Sequence, residues 1–155
     1  MEIAQDHNRR VWDERVQQGL LHTRTARDDE FDDPLKAINS RGWIDGALDG
    51  KHVLCLAGGG GLQAPLYAAA GAKVTVVDIS PGMLEQDRLV ARERGLEVQT
   101  IATSMDDLSM LPNASFDLVT QPVSTCYVPN LAKVYAEIAR VLRNGGQYLS
   151  QHKQP

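Results

Sequence analysis

The chain has 155 residues, 43% of them apolar and 23% charged, which suits one domain with a buried core of ordinary size. Sixteen basic against twenty acidic residues leave a formal net charge of −4, with no Lys/Arg cluster to track a phosphate backbone, so nucleic acid is not expected as a partner. The N-terminal MEIAQDHNRR lacks the apolar stretch of a signal peptide and no run approaches the ~18 apolar residues of a membrane span; a soluble cytoplasmic protein, not membrane-associated, is expected.

From Asn8 to Leu20, Trp12, Val16 and Leu20 recur every four residues and predict one face of an amphipathic helix, which needs a surface to lie on. The polar HTRTARDDEFDD follows, carrying Asp28, Asp29, Glu30, Asp32 and Asp33. Without the spacing and glycine of a calcium loop, it reads as a solvated loop capping a short helix. Leu35, Ile38, Trp43 and Ile44 form a second apolar patch. From Lys51 the pattern becomes regular, with strands expected near 52–57, 73–77, 97–102, 116–121 and 147–151 and helical patterns between most of them.

The first strand empties into four glycines, Gly58 to Gly61, followed by the helix-forming LQAPLYAAAG. Bare backbone can turn sharply and approach a ligand closely, and the unpaired N–H groups opening the next helix favour an anionic group. The second strand, KVTVVD, ends in Asp78, whose carboxylate is placed to accept hydrogen bonds from a ribose diol. The pair predicts a nucleoside-containing cofactor. Ser80 and Pro81 read as the cap and first residue of a helix stopped by Gly95, with Met83, Leu84, Val90 and Ala91 inward. In LAKVYAEIARVLRNGG, Leu131, Val134, Ile138, Val141 and Leu142 form the buried stripe and Gly145-Gly146 the expected end. Strands alternating with helices predict an α/β fold, a doubly wound, mostly parallel sheet.

The two cysteines, Cys55 and Cys126, lie in or just after apolar strand-like segments without CxxC or metal-ligand spacing. Both are expected to be reduced, buried thiols, and no metal site is expected. His7 and His52 read as surface or strand-edge residues, and Trp12, Trp43 and Tyr67 as packing residues.

The order of motifs resembles the class I S-adenosylmethionine-dependent methyltransferases of the small-molecule type, over residues 51 to 151. Against that family's VLDLGCGxG loop, VLCLAGGGG keeps glycines at Gly59 and Gly61 but puts Cys55 where the acid stands and Ala57 where the first glycine stands. VVDIS matches the ribose-binding strand. SMDDLSMLPNASFDLV is similar to the adenine-contacting segment and fourth strand, with Ser104 in place of the usual acid. EIARVLRNGGQYLS matches the helix and turn commonly written EhxRVLKPGG, with Asn144 in place of proline.

What the resemblance implies is a Rossmann-like methyltransferase fold that binds S-adenosyl-L-methionine, with Gly59 and Gly61 facing the methionine part, Asp78 the ribose, Met105 and Asp106 the adenine, and Gln121 nearest the sulfonium. The implied cofactor set also takes in Ala57, Gly58, Ile79, Met83 and Ser104. The reaction implied is in-line methyl transfer to a small-molecule acceptor, a chemistry of positioning. This agrees with the lack of any obvious catalytic pair. On the acceptor side, QPVSTCYVPN stands where many relatives carry a His-His pair, here replaced by Cys126 and Tyr127. Gln121, Ser124, Thr125 and Tyr127 are candidate substrate contacts. The alternative is a loop packed by Val123, Cys126 and Val128 whose hydroxyls satisfy its own backbone. His22 is a candidate to fold over the cofactor, and His152 to face the acceptor.

Two other readings stay open. Gly59-x-Gly61-x-x-Ala64 also satisfies the dinucleotide fingerprint of an NAD-dependent oxidoreductase, although SFDLV and VLRNGG have no special place there. A non-catalytic cofactor-binding or interaction subunit is the other. Residues 1–50 are expected to form an N-terminal helical cap and 51–155 the cofactor-binding core, an incomplete one, truncated after the fifth strand. The family's domains carry two further strands, roughly 70 to 90 residues with their helices. The expectation is therefore a shortened form or one half of a split enzyme, completed by self-association or a second chain.

Overall fold

A computed structural model describes residues 2–153. The outermost residues of the two expected segments, 1 and 154–155, lie outside the described residues. Strands β1 (His52–Leu56), β2 (Lys73–Asp78), β3 (Val98–Ala102), β4 (Phe116–Gln121) and β5 (Leu142–Ser150) form one sheet in the order β3-β2-β1-β4-β5. Every pairing is parallel. The chain builds outward from β1 through β2 to β3, then returns to start β4 on the other side of β1. That reversal opens a crevice beyond the carboxyl ends of β1 and β4.

Alternating residues of β1 divide the core. Val53 and Cys55 join Val74, Val76 and Leu118 under α3 (Gln63–Ala69) and Leu84 of α4 (Pro81–Arg94). Leu54 and Leu56 join Val77, Val119 and Phe116 under α5 (Leu131–Val141) and the β3–β4 loop. The near-continuous burial of β1 and β2 is what a strand covered on both faces requires. α4 begins as expected, with Ser80 Oγ accepting from Met83 N at 3.1 Å, and ends at the left-handed Gly95, φ 64°. Asp33 caps the short α2 (Pro34–Ile38), accepting from Lys36 N at 3.2 Å. Leu35, Ile38 and Ile44 pack on the core, whereas Trp43 is exposed under the Arg41 guanidinium.

Two helices and one strand depart from the sequence pattern, β5 beginning at Leu142 rather than near 147. The first helix, α1 (Glu2–Gln17), starts before Asn8 and stops before Leu20. Gly19 takes φ 62°, and Gly19 N to Val16 O (3.1 Å) and Leu20 N to Arg15 O (3.0 Å) close a Schellman motif. Leu20 is thereby turned out of the helical stripe. α5 ends at Val141 rather than at Gly145-Gly146, because Ala114 N and Ser115 N take the carbonyls of Arg140 and Val141 and Leu142 pairs at once with Phe116. The glycine pair falls in the register shift between Phe116 and Leu118, where Gly145 needs φ 80°.

The β3–β4 loop is clamped to α5 by one ion pair. Arg140 Nη1 and Nη2 donate to the carbonyls of Leu111 and Leu108, each at 2.8 Å, while Glu137 accepts from Leu108 N at 2.8 Å and from Arg140. The Glu137 carboxyl is held below its ordinary range, chiefly by Arg140. Arg140→Ala strands two carbonyls and an acid, and is expected to cost about 2 kcal/mol in urea unfolding with an unchanged m-value.

Candidate functional site

The turn after β1 is shaped by close packing. Ala57 takes φ 49°, the left-handed region, at the position where the resembling motif has its first glycine. A Cβ built on Gly59 would lie 2.9 Å from Met83 Cβ and 3.0 Å from Asp78 Oδ2. One on Gly61, at φ 75°, would lie 2.9 Å from the Gln86 carbonyl oxygen of α4. Only glycine lets β1 pass so close to the tip of β2 and the first turns of α4.

Three of the four glycine N–H groups of this loop are taken by carboxylates. Gly59 N donates to Asp78 Oδ2 at 3.0 Å, Gly60 N to Asp87 Oδ2 at 3.1 Å, and Gly61 N to Asp87 Oδ1 at 2.8 Å. Asp78 also accepts from Ser80 N at 2.9 Å. Burial pushes the Asp78 carboxyl up, opposed by these N–H donors and aided by Asp13 nearby.

Over the loop opens a cavity of about 990 Å³, at the upper end of the range for small-molecule sites. Ala57, Gly58, Gly59, Asp78, Ile79 and Met83 form its floor and Ser104 and Met105 one wall; Ser124 and Tyr127 stand at its rim. The opposite wall is Gln5, Asn8 and Trp12 of α1 with the segment from Gly19 to Arg24, including His22. α1 is tied down by Asn8 Nδ2 donating to Tyr127 O at 3.0 Å, by an edge-on contact between Trp12 and Tyr127 with centroids 5.9 Å apart, and by Asp13, which accepts from Ser80 Oγ and from Gly82 N at 3.0 Å.

Five expected site residues do not reach the cavity surface. Gly61 backs the loop, bonded to Asp87 and, through its carbonyl, to Ala26 N at 2.8 Å. Asp106 is turned toward Gln5 of α1 and buried. Gln121, 2% exposed, donates to Ser124 Oγ at 3.0 Å and Met105 Sδ at 3.3 Å and accepts from the Tyr148 hydroxyl, which locks it beneath the rim. Thr125 faces His152, 3.3 Å from its Nδ1, and both lie outside the cavity lining. Cys126 is exposed at the rim, because the 3₁₀ turn Thr125–Tyr127 lifts it off the sheet; only Cys55 is a buried thiol. Burial drives the Cys55 thiol far up, so it stays neutral.

Two participants escaped the sequence pattern. Trp12 lines the cavity with Gln5 and Asn8, a polar extension of its own helical face that apolar periodicity does not register. Asp87 sits on the buried stripe of α4 between Leu84 and Val90, where its spacing alone marks it as inward.

A parallel sheet with its nucleoside-sized cavity at the β1–β4 reversal, and an acid at the tip of β2 against a glycine turn, define a Rossmann-like cofactor-binding fold. Residues 54–150 match the family described as "Methyltransferase domain", and the chain belongs to that family, a branch of the class I S-adenosylmethionine-dependent methyltransferases. It is 39% identical over 160 residues to the uncharacterised methyltransferase YbaJ of Bacillus subtilis, covering 96% of this chain and 62% of the relative. It is 36% identical over 118 residues to the ubiquinone biosynthesis O-methyltransferase of Bordetella pertussis, covering 73% and 49%. The chain thus spans 62% and 49% of these relatives' lengths. Geranyl diphosphate C-methyltransferase of Streptomyces coelicolor, solved with Mg²⁺, geranyl diphosphate and S-adenosyl-L-homocysteine, shares the fold with a TM-score of 0.72 at 20% identity, over 96% of this chain and 64% of that one. Among the described residues, no helix is long and apolar enough to cross a membrane.

Gly61→Ala combines left-handed strain with a contact on backbone that cannot swing away, and is expected to destabilise the fold by about 2–4 kcal/mol. Chemical denaturation of the two proteins measures it.

Proposed function

We propose that the cavity binds S-adenosyl-L-methionine and that the chain is the cofactor half of a methyltransferase acting on a small-molecule acceptor. The observation that carries this reading is the Asp78 carboxylate at the cavity floor, 3.0 Å from the first of three glycine N–H groups. Each Asp78 oxygen keeps a lone pair beyond its N–H bond, so the acid can also accept from a ribose diol. Glycine at 58 to 60 leaves backbone against the space the aminoacyl end requires, since a Cβ at Gly59 or Gly60 meets Met83 at 2.9 or 3.0 Å.

When bound, the cofactor supplies a methyl group already activated on a sulfonium. The chain's residues then have to bind, orient and exclude water. Met105 offers a polarisable thioether, itself held by Gln121, to an adenine edge. Trp12, Tyr127 and Leu20 close the roof, and α1 with the segment from Gly19 to Arg24 acts as a cap that removes water from the displacement. Ser124, Tyr127 and His22 are the proposed acceptor contacts that the cavity wall supports. No general acid or base is assigned.

The same geometry disfavours a dinucleotide. A diphosphate needs loop N–H groups, and here two carboxylates hold three of the four glycine N–H groups, adding negative charge where phosphates would lie. Calorimetry is therefore expected to show saturable S-adenosylhomocysteine binding, weakened at least about tenfold in Asp78→Ala, and no binding of NADH. A well-folded chain that ignores S-adenosylhomocysteine overturns the reading. Binding without methyl transfer to any acceptor assigns the non-catalytic cofactor-binding role.

A further inference from the structure

The side chain of Asp87 is fully buried in α4, on the stripe that elsewhere carries Leu84, Val90 and Ala91. An apolar residue would pack there more cheaply, because a buried carboxylate is costly unless its oxygens are bonded. The nearest cation, Arg88, is turned away to Thr100 Oγ1 at 3.0 Å and Glu85 at 2.8 Å. What Asp87 does hold is the glycine loop: Oδ1 takes Gly61 N at 2.8 Å, and Oδ2 takes Gly60 N at 3.1 Å, a donor shared with Met83 O at 3.0 Å. The strand leading into the loop offers no acid of its own. Cys55 stands where the resembling motif carries one, and a Cβ on Gly58 would touch it at 3.3 Å.

We propose that Asp87 is a positioning residue for the cofactor: its carboxylate, supplied from α4 in place of an acid at position 55, fixes Gly60 and Gly61 so that the loop's other side admits the methionine end of S-adenosylmethionine. This rests on the function proposed above. An ionised carboxylate accepts both N–H groups. A protonated one turns a hydroxyl toward a donor and loses one of them.

Burial and the neighbouring Asp78 push Asp87 up to about 7, against its two N–H donors and a weaker pull from Arg88; Cys55, neutral, faces it from β1. The neutral form's contribution to fold stability is therefore complete below the ordinary carboxyl range and is lost as pH rises through about 7. Loop bonding moves the opposite way and is gained over that window.

Amide spectra of the full chain between about pH 5.5 and 8.5 read the loop directly. The Gly60 and Gly61 amide protons are expected to titrate together with a midpoint of about 7, and not at all in Asp87→Asn. In calorimetry, S-adenosylhomocysteine should bind about fivefold or more weakly at pH 6 than at pH 8; in Asp87→Asn, affinity at pH 8 should fall about tenfold and the pH dependence flatten. Circular dichroism checks the variant's fold; should it not fold, the wild-type amides and pH profile decide. Silent glycine amides in a chain that binds the ligand overturn the positioning role alone, as does a folded Asp87→Asn with wild-type affinity and pH profile. Titrating amides in a chain that binds no ligand at any pH overturn the functional reading, and the role with it.

Discussion

Three consecutive peptide N–H groups, those of Gly59, Gly60 and Gly61, end on two carboxylates from two different elements, and the rest of the site follows from that arrangement. Asp78 belongs to the sheet and Asp87 to the helix after it, so the loop is gripped from both sides of the crossover. The internal carboxylates take three of the loop's N–H groups. What remains available on the cavity side is an acceptor, Asp78, and bare peptide, a surface suited to hydroxyls and to a compact aminoacyl group rather than to phosphate.

The grip depends on packing that tolerates no extra atoms. Met83 Cβ and the Gln86 carbonyl stand within 3 Å of where loop side chains would begin, which couples the position of α4 to the shape of the loop. α4 is in turn seated by its apolar stripe on the sheet face that holds Cys55 and Val76. The opposite face does comparable work for the other wall: Arg140 and Glu137 of α5 hold the β3–β4 loop, and that loop carries Met105 to the cavity.

Much of the fold was legible because its signals are local. Strand periodicity located four strands and the end of the fifth, Ser80-Pro81 and Gly95 bounded α4, and the apolar KVTVVD run put Asp78 at the tip of β2, where it lines the cavity. What was illegible depends on distant partners. Gly145-Gly146 reads as a helix stop, but Phe116 and Ser115 claim the chain earlier, at Leu142 and Val141. Asp106 and Gln121 occupy suitable positions in the pattern, yet Asp106 is covered by Gln5 of the cavity wall and Gln121 is held by Tyr148 beneath the rim. The contribution of α1 was hidden for a different reason: Gln5 and Asn8 are polar, and Ile3, the apolar residue that might have extended the stripe, is 85% exposed.

Asp13 joins α1 to Ser80, and Ser80 is itself bonded through its backbone to Asp78. The helix that roofs the crevice and the acid at its base therefore share one residue, close to the approach of Asp13 on Gly82. On the proposed function, any movement of α1 that opens the crevice has to pivot about Ser80 or break it free, and either would disturb Asp78. For the proposed cofactor, entry and grip would then be mechanically linked through one serine, and the speed of exchange would change together with the strength of holding.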